Sequence, residues 1–143
     1  RVRCDVWTQD HDIEAEDLAI STWQYANGLV INFYATTAYP GTWANPRLEL
    51  HGTEGAYYSE SGGRDKKSVQ HWFLGGSWSE TAPEVVIPEW LNAADNMAAA
   101  IRTGAALTCS GREGRRTQSI LDAMYRSAYE AEGGWVTLAP DLA

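Results

Sequence analysis

Cysteine is nearly absent from this sequence. Cys4 and Cys109 are all it has, and their wide separation matches no metal-ligand or redox spacing; a disulfide between them stays open, and so low a count agrees with a reducing compartment. Cations are scarce too. Eleven Lys and Arg stand against 19 Asp and Glu, a formal net charge of −8, whereas binding to nucleic acid or anionic lipid needs clustered positive charge. The one basic cluster, Arg112, Arg115 and Arg116, is broken by Glu113 and reads as a solvated helix face. No apolar run approaches the ~20 residues that cross a bilayer, and residues 1–20 lack the basic-then-apolar order of a secretion signal. These absences argue for a soluble, cytoplasmic chain with neither nucleic acid nor membrane as partner.

The familiar catalytic devices are missing as well. No two glycines are spaced Gly-x-Gly, and no glycine-rich loop closes on Lys-Ser or Lys-Thr, so the usual nucleotide cradles are excluded. There is no His-Glu-x-x-His, no Cys-x-x-Cys and no Gly-x-Ser-x-Gly turn, which leaves metal and serine-hydrolase chemistry without a foothold. The acidic run Glu14, Glu16 and Asp17 reads as a solvated loop. His11, His51 and His71 are scattered, each more simply a hydrogen-bonded histidine than a base.

What is present suits one folded domain spanning residues 1–143. At 44% hydrophobic and 21% charged the composition is that of a globular protein, and a chain of about 150 residues buries roughly 68–70% of its unfolded surface. Seven Trp and seven Tyr are suited to a surface that meets a ligand or a partner.

Period-two alternation from Arg1 to Trp7 predicts a strand; a strand opening at the first residue suggests that a segment precedes it. From Leu18 to Ala38 two strand-forming runs flank Asn27-Gly28, the dipeptide suited to a two-residue type I′ turn. That register pairs Trp23 with Asn32. It sends Leu18, Ile20, Thr22, Leu29, Ile31, Phe33 and Ala35 under helices, and turns Ser21, Trp23, Tyr25, Asn32, Tyr34 and Thr36 outward. A second hairpin runs through residues 47–60, with Arg47, Glu49 and His51 on one face and Leu48 and Leu50 on the other. Further strands are predicted over residues 67–73 and 84–87, separated by a loop through Gly75-Gly76. Two helices follow. Trp90, Ala94, Met97, Ala98 and Ile101 form the stripe of the first, ended at Gly104. The second opens on a Ser110/Glu113 capping box and stops at Gly133-Gly134, before a closing strand over residues 135–138. Strands first and helices later give an α+β fold, an open-faced and mainly antiparallel sheet with helices on one face.

In this order, Asp17-Leu18-Ala19-Ile20, the Ala26-Asn27-Gly28 hairpin, Arg47-Leu48-Glu49-Leu50 leading into His-Gly-Thr-Glu-Gly, Ile101-Arg102-Thr103-Gly104, and Ser127-Ala128 ahead of Val136-Thr137-Leu138 resemble the C-terminal domain of the Gfo/Idh/MocA oxidoreductases, the glucose–fructose oxidoreductase and inositol dehydrogenase family. The resemblance implies a substrate-side and dimerisation domain of an NAD(P)-dependent enzyme acting on a sugar or polyol, with self-association through the open sheet face. It implies NAD or NADP in the parent protein and no cofactor on this chain. The family's glycine-rich loop, Glu-Lys-Pro segment and Asp/His pair have no match here, so no catalytic residue is assigned. Trp23, Tyr25, Tyr34, Arg47 and His51, with Tyr39 and Trp43 on the adjoining loop, are the expected substrate or interface contacts. The alternative is a stand-alone module that binds a carbohydrate or a protein through the same face.

Overall fold

The computed structural model describes residues 1–38, 46–61, 68–81 and 92–138. Along the chain come β1 (Val2–Trp7), β2 (Leu18–Gln24), β3 (Val30–Thr36), β4 (Arg47–His51), β5 (Gly55–Glu60), β6 (Val69–Leu74), β7 (Ser77–Ser79), α1 (Ala93–Thr103) and α2 (Gly111–Tyr129). All strand pairs are antiparallel, in two sheets ordered β1-β2-β3 and β4-β5-β6-β7. The α+β class is as expected, although its strands form two ladders among the described residues. The chain divides into two compact units, Arg1–Ala38 with Glu89–Ala143, and Tyr39–Pro88. The predicted strand over residues 84–87 and Trp90 of the predicted first-helix stripe lie outside the described residues.

In the first unit, β1 alternates as its sequence requires: Val2 and Cys4 are buried while Arg3 and Asp5 are exposed. Their buried face meets α2. Val2, Cys4, Ala123, Met124 and Val136 make the core, with Val6, Ala19, Trp23, Ile120 and Leu138 packed around it. Full burial of a side chain such as Met124 is worth about 1.5–3 kcal/mol. Polar groups inside this core are satisfied. The fully buried Ser127 hydroxyl accepts the Cys4 N–H at 2.7 Å and donates to the Gly134 carbonyl at 2.7 Å.

Both helix ends behave as the sequence suggests. The Ser110/Glu113 capping box is formed, with the Ser110 N–H donating to the Glu113 carboxylate at 3.2 Å. Gly104 closes α1 at φ 73°. After α2, Gly133 turns at φ 78° with Asp5 Oδ1 only 2.5 Å from where a Cβ would stand. The chain then returns to β1, where Val2 and Val136 exchange two hydrogen bonds of 2.8 Å.

The first hairpin departs from expectation by one residue. Trp23 pairs with Ile31, and Thr22 with Asn32. The turn is a three-residue loop, Ala26-Asn27-Gly28. Gly28 donates to the Tyr25 carbonyl at 3.2 Å, Tyr25 donates to Leu29 at 2.9 Å, and Asn27 Oδ1 accepts the Leu29 N–H at 3.1 Å. With Gly28 at φ 90°, this is a type I turn closed by a left-handed glycine. The slip exchanges the two faces of β2. Trp23 lies on the helix side, stacked on Phe33 at 5.5 Å and donating its indole N–H to Ser21 Oγ at 2.8 Å. Ile20 and Thr22 turn to the opposite face with Asn32 and Tyr34. The outward placement of Trp23 is thereby corrected, whereas Ile31, Phe33 and Ala35 do share the helix side.

The loop after β1 is organised by Asp17. Its carboxylate accepts N–H groups from Gln9 at 2.8 Å, Asp10 at 2.8 Å and His11 at 3.1 Å, and stands 3.2 Å from His11 Nδ1. The expectation of a solvated acidic run fails at this residue, whose side chain is fully buried.

The second unit is a four-stranded meander. Gly55 approaches the backbone of Phe73 so closely that a Cβ would stand 2.6 Å from its carbonyl oxygen. Gly75 and Gly76 join β6 to β7 with φ of 60° and 85°, the two-residue turn whose geometry makes a tight hairpin rather than a loop.

Candidate functional site

Period-two geometry sorts the second unit into two faces, and its polar face is the candidate site. Directly paired residues share a face, so Arg47, Glu49 and His51 of β4 align with Glu60, Tyr58 and Ala56 of β5, then with Val69, His71 and Phe73 of β6, and with Trp78 of β7. Leu48, Leu50, Tyr57, Trp72 and Leu74 take the other side. A groove of about 500 Å³ is lined by Glu49, His51, Tyr57, Tyr58, His71 and Trp78.

Its polar rim is a chain of charge-assisted bonds. Arg47 Nε donates to Glu49 Oε1 at 2.9 Å, a second guanidinium nitrogen joins the same oxygen, and His51 Nε2 stands 3.4 Å from Glu49 Oε2. The bonds from Arg47 and then His51 hold the Glu49 carboxyl below the usual carboxylate range, while Glu49 pushes the Arg47 guanidinium up. Tyr58 donates its hydroxyl to Glu60, which raises the phenol and keeps it a donor. Arg47 lies over the Tyr58 ring at 5.5 Å. Beyond it comes an aromatic wall. His71 is 6.1 Å from Tyr58 and meets Trp78 edge-on at 6.4 Å, and Phe73 supports Trp78 at 5.3 Å. Trp78 remains 56% exposed, with apolar ring surface open to a ligand.

Of the residues singled out from the sequence, Arg47 and His51 come together on this rim through Glu49. Tyr34 is in the other unit, 64% exposed on the face of β3 that turns away from the helix. Tyr25 sits at the base of the first hairpin loop, half-buried. Trp23 is packed toward the core, and Tyr39 and Trp43 lie outside the described residues. Tyr58, His71 and Trp78 were missed as site residues. Counting outward from the Gly52–Gly55 turn pairs Glu49 with Tyr58 and offers that much of a signal, whereas Trp78 follows Gly75-Gly76, which reads as a loop in the sequence.

The start of α2 does not fit the pyrophosphate of a nicotinamide cofactor. The first turn of α2 is the helix start with nearby glycines, Gly111 and Gly114, yet Glu113 places its own carboxylate on the Ser110 N–H, where a pyrophosphate would need free donors. Among the described residues no group of three or more His, Cys, Asp or Glu could hold a metal ion, and no helix is long and apolar enough to cross a membrane. Cys4 and Cys109 are unpaired, and burial pushes the Cys4 thiol up.

Known proteins share this fold. The aldose-aldose oxidoreductase from Caulobacter crescentus, complexed with glycerol, superposes with a TM-score of 0.69 at 21% identity over 91% of this chain and 39% of its own. A putative oxidoreductase from Bacillus subtilis gives 0.64 at 24% identity over 91% and 43%. An oxidoreductase from Agrobacterium radiobacter, in complex with NAD+, L-tartaric acid and magnesium, gives 0.68 at 15% over 91% and 41%. The chain thus spans about two fifths of the length of these structures, and they show its fold. No curated protein matches it. The family model described as "Oxidoreductase family, C-terminal alpha/beta domain" matches residues 4–138, nearly the whole sequence, and the chain belongs to that Gfo/Idh/MocA family.

Proposed function

We propose that this chain is the substrate-side domain of an NAD(P)-dependent oxidoreductase acting on a sugar or polyol, with the cofactor held by another part of the parent protein. The groove on β4 to β7 carries the reading. It combines a rim of carboxylate, imidazole and phenol groups with an exposed indole, the mixture of few polar groups and apolar wall that small-molecule sites use. Among the similar structures, the one complexed with glycerol is in keeping with a polyol, and another is complexed with NAD+. The chain contributes recognition and orientation. Hydride transfer needs the nicotinamide of the parent, which supplies the redox chemistry when bound.

Self-association runs through the face of the first sheet that turns away from α2, where Ile20, Val30 and Tyr34 are exposed. The protein works in the cytoplasm, where unpaired Cys4 and Cys109 stay reduced. The test is reduction of NAD or NADP by the parent protein over a panel of sugars and polyols. Turnover of at least one member is expected; absence of both cofactor binding and turnover across the panel would refute the enzymatic reading.

A further inference from the structure

The outer face of the first sheet carries unspent hydrogen-bond donors along its β1 side. Alternation along β1 exposes Arg3 on the side away from α2, and the antiparallel bridge of Val2 to Val136 sets Trp135 beside it. The Arg1 guanidinium stands 4.4 Å from the Trp135 ring centroid and that of Arg3 5.5 Å. One indole thus gathers two like charges, and a cation–π contact of this kind consumes no N–H donor. Arg1 spends only its Nε, on Gln24 Oε1 at 2.7 Å. Among the described residues neither guanidinium has a carboxylate partner, and Arg3 makes no side-chain hydrogen bond. The neighbouring amides point the same way chemically. Register places Thr22 opposite Arg3 and Asn32 opposite Thr22. Thr22 donates to Asn32 Oδ1 at 3.2 Å, so the Asn32 and Gln24 amide oxygens are each engaged while both NH2 groups keep their donors.

We propose that Arg1 and Arg3, gathered at Trp135 and flanked by the Gln24 and Asn32 amides, form a site for a small polyvalent oxyanion. Guanidinium donors bind planar or tetrahedral oxyanions through charge-assisted, often bidentate bonds, and phosphate and carboxylate groups share that chemistry. Asp5 shares the exposed side of β1, but no ion pair joins it to Arg3. The net charge of −8 is spread over the whole chain, and a Debye length of about 8 Å at physiological salt screens its remote acids. The local pair of guanidinia therefore decides the sign of the field. The site takes no residue of the groove on β4 to β7 and is independent of the sugar or polyol reading, which turnover by the parent tests.

The experiment is titration of the chain with sodium pyrophosphate and with sodium citrate, against sodium chloride at matched ionic strength, following the Trp135 indole N–H resonance. At least one of the two anions is expected to shift that resonance saturably where chloride does not, and the tighter one identifies the ligand group as phosphate or carboxylate. Arg1→Gln and Arg3→Gln should each weaken binding about tenfold, as loss of one charge-assisted hydrogen bond predicts. Asn32→Asp, which replaces a donor by a like charge, should weaken it as well. Arg112→Gln removes a positive charge from α2 instead and should change the affinity by less than about twofold, because that charge is screened. No saturable shift with either anion, an unchanged affinity in Arg3→Gln, or an equal loss in Arg112→Gln would each overturn the proposal. Circular dichroism of each variant separates loss of binding from loss of fold.

Discussion

The two sheets are built from the same antiparallel strands but spend their side chains differently. The β1-β2-β3 sheet has a helix against one face, and every fully buried hydrophobic residue in the described structure belongs to that unit. In the β4-β5-β6-β7 sheet no described residue is fully buried, and all of β4 is exposed. Leu50 there is 55% exposed and Met124 in the first unit 6%. The first sheet is a framework whose side chains are fixed by packing. The second displays its side chains, and its polar face is held by bonds between neighbouring groups on the strands.

Core truncation should separate the two most strongly. Met124→Ala is expected to cost about 2–4 kcal/mol by cavity formation, whereas Leu50→Ala should stay within about 0.5 kcal/mol; denaturant midpoints of the two variants check this. Ser127→Ala should cost about 1–3 kcal/mol, since it leaves the buried Cys4 N–H without its acceptor. Glycines give a finer contrast. Gly55→Ala forces a Cβ against a backbone carbonyl and should cost about 1–3 kcal/mol as overpacking. Gly28→Ala meets nothing within 4 Å and carries only the left-handed strain of about 1–2 kcal/mol.

An electrostatic effect is confined to the first unit and to acid pH. The Asp10 N–H, opposed by burial and joined by the Gln9 and His11 N–H groups, holds Asp17 well below the usual carboxylate range. The folded state thus binds this proton less readily than the unfolded chain. The resulting stability is complete above the unfolded pKa of about 3.9 and is lost as pH falls below it toward the depressed folded value. Stability of Asp17→Asn should consequently fall less steeply than that of the parent below about pH 4. Equal slopes in acid denaturation would contradict the assignment.

Much of this division was legible in the sequence, and the failures share a cause. Caps at Ser110 and Gly104, the β1 alternation and the Arg47/Glu49/His51 face all rest on contacts within a few residues, and all are found as expected. Strand register is harder because it depends on the length of a turn. Asn27-Gly28 fits a two-residue turn, but Asn27 also bonds the Leu29 N–H and closes a three-residue loop, which carries Trp23 from the outer face to the helix side. At Gly75-Gly76 the error reversed: two positive φ angles build the tight hairpin that the sequence had suggested as loop. The groove was only half visible for the same reason. Glu49 and Tyr58 are joined by a short turn from which their pairing can be counted, whereas Trp78 lies beyond Gly75-Gly76, read as loop.

The claim that one sheet supports and the other recognises is tested most directly by measuring KM and Tm on the same preparations of the parent enzyme carrying Met124→Ala or Trp78→Ala. The account predicts a lowered Tm with unchanged KM for Met124→Ala, and for Trp78→Ala a raised KM for the sugar or polyol with Tm nearly unchanged. A Trp78→Ala protein that loses thermal stability yet keeps its KM would contradict it.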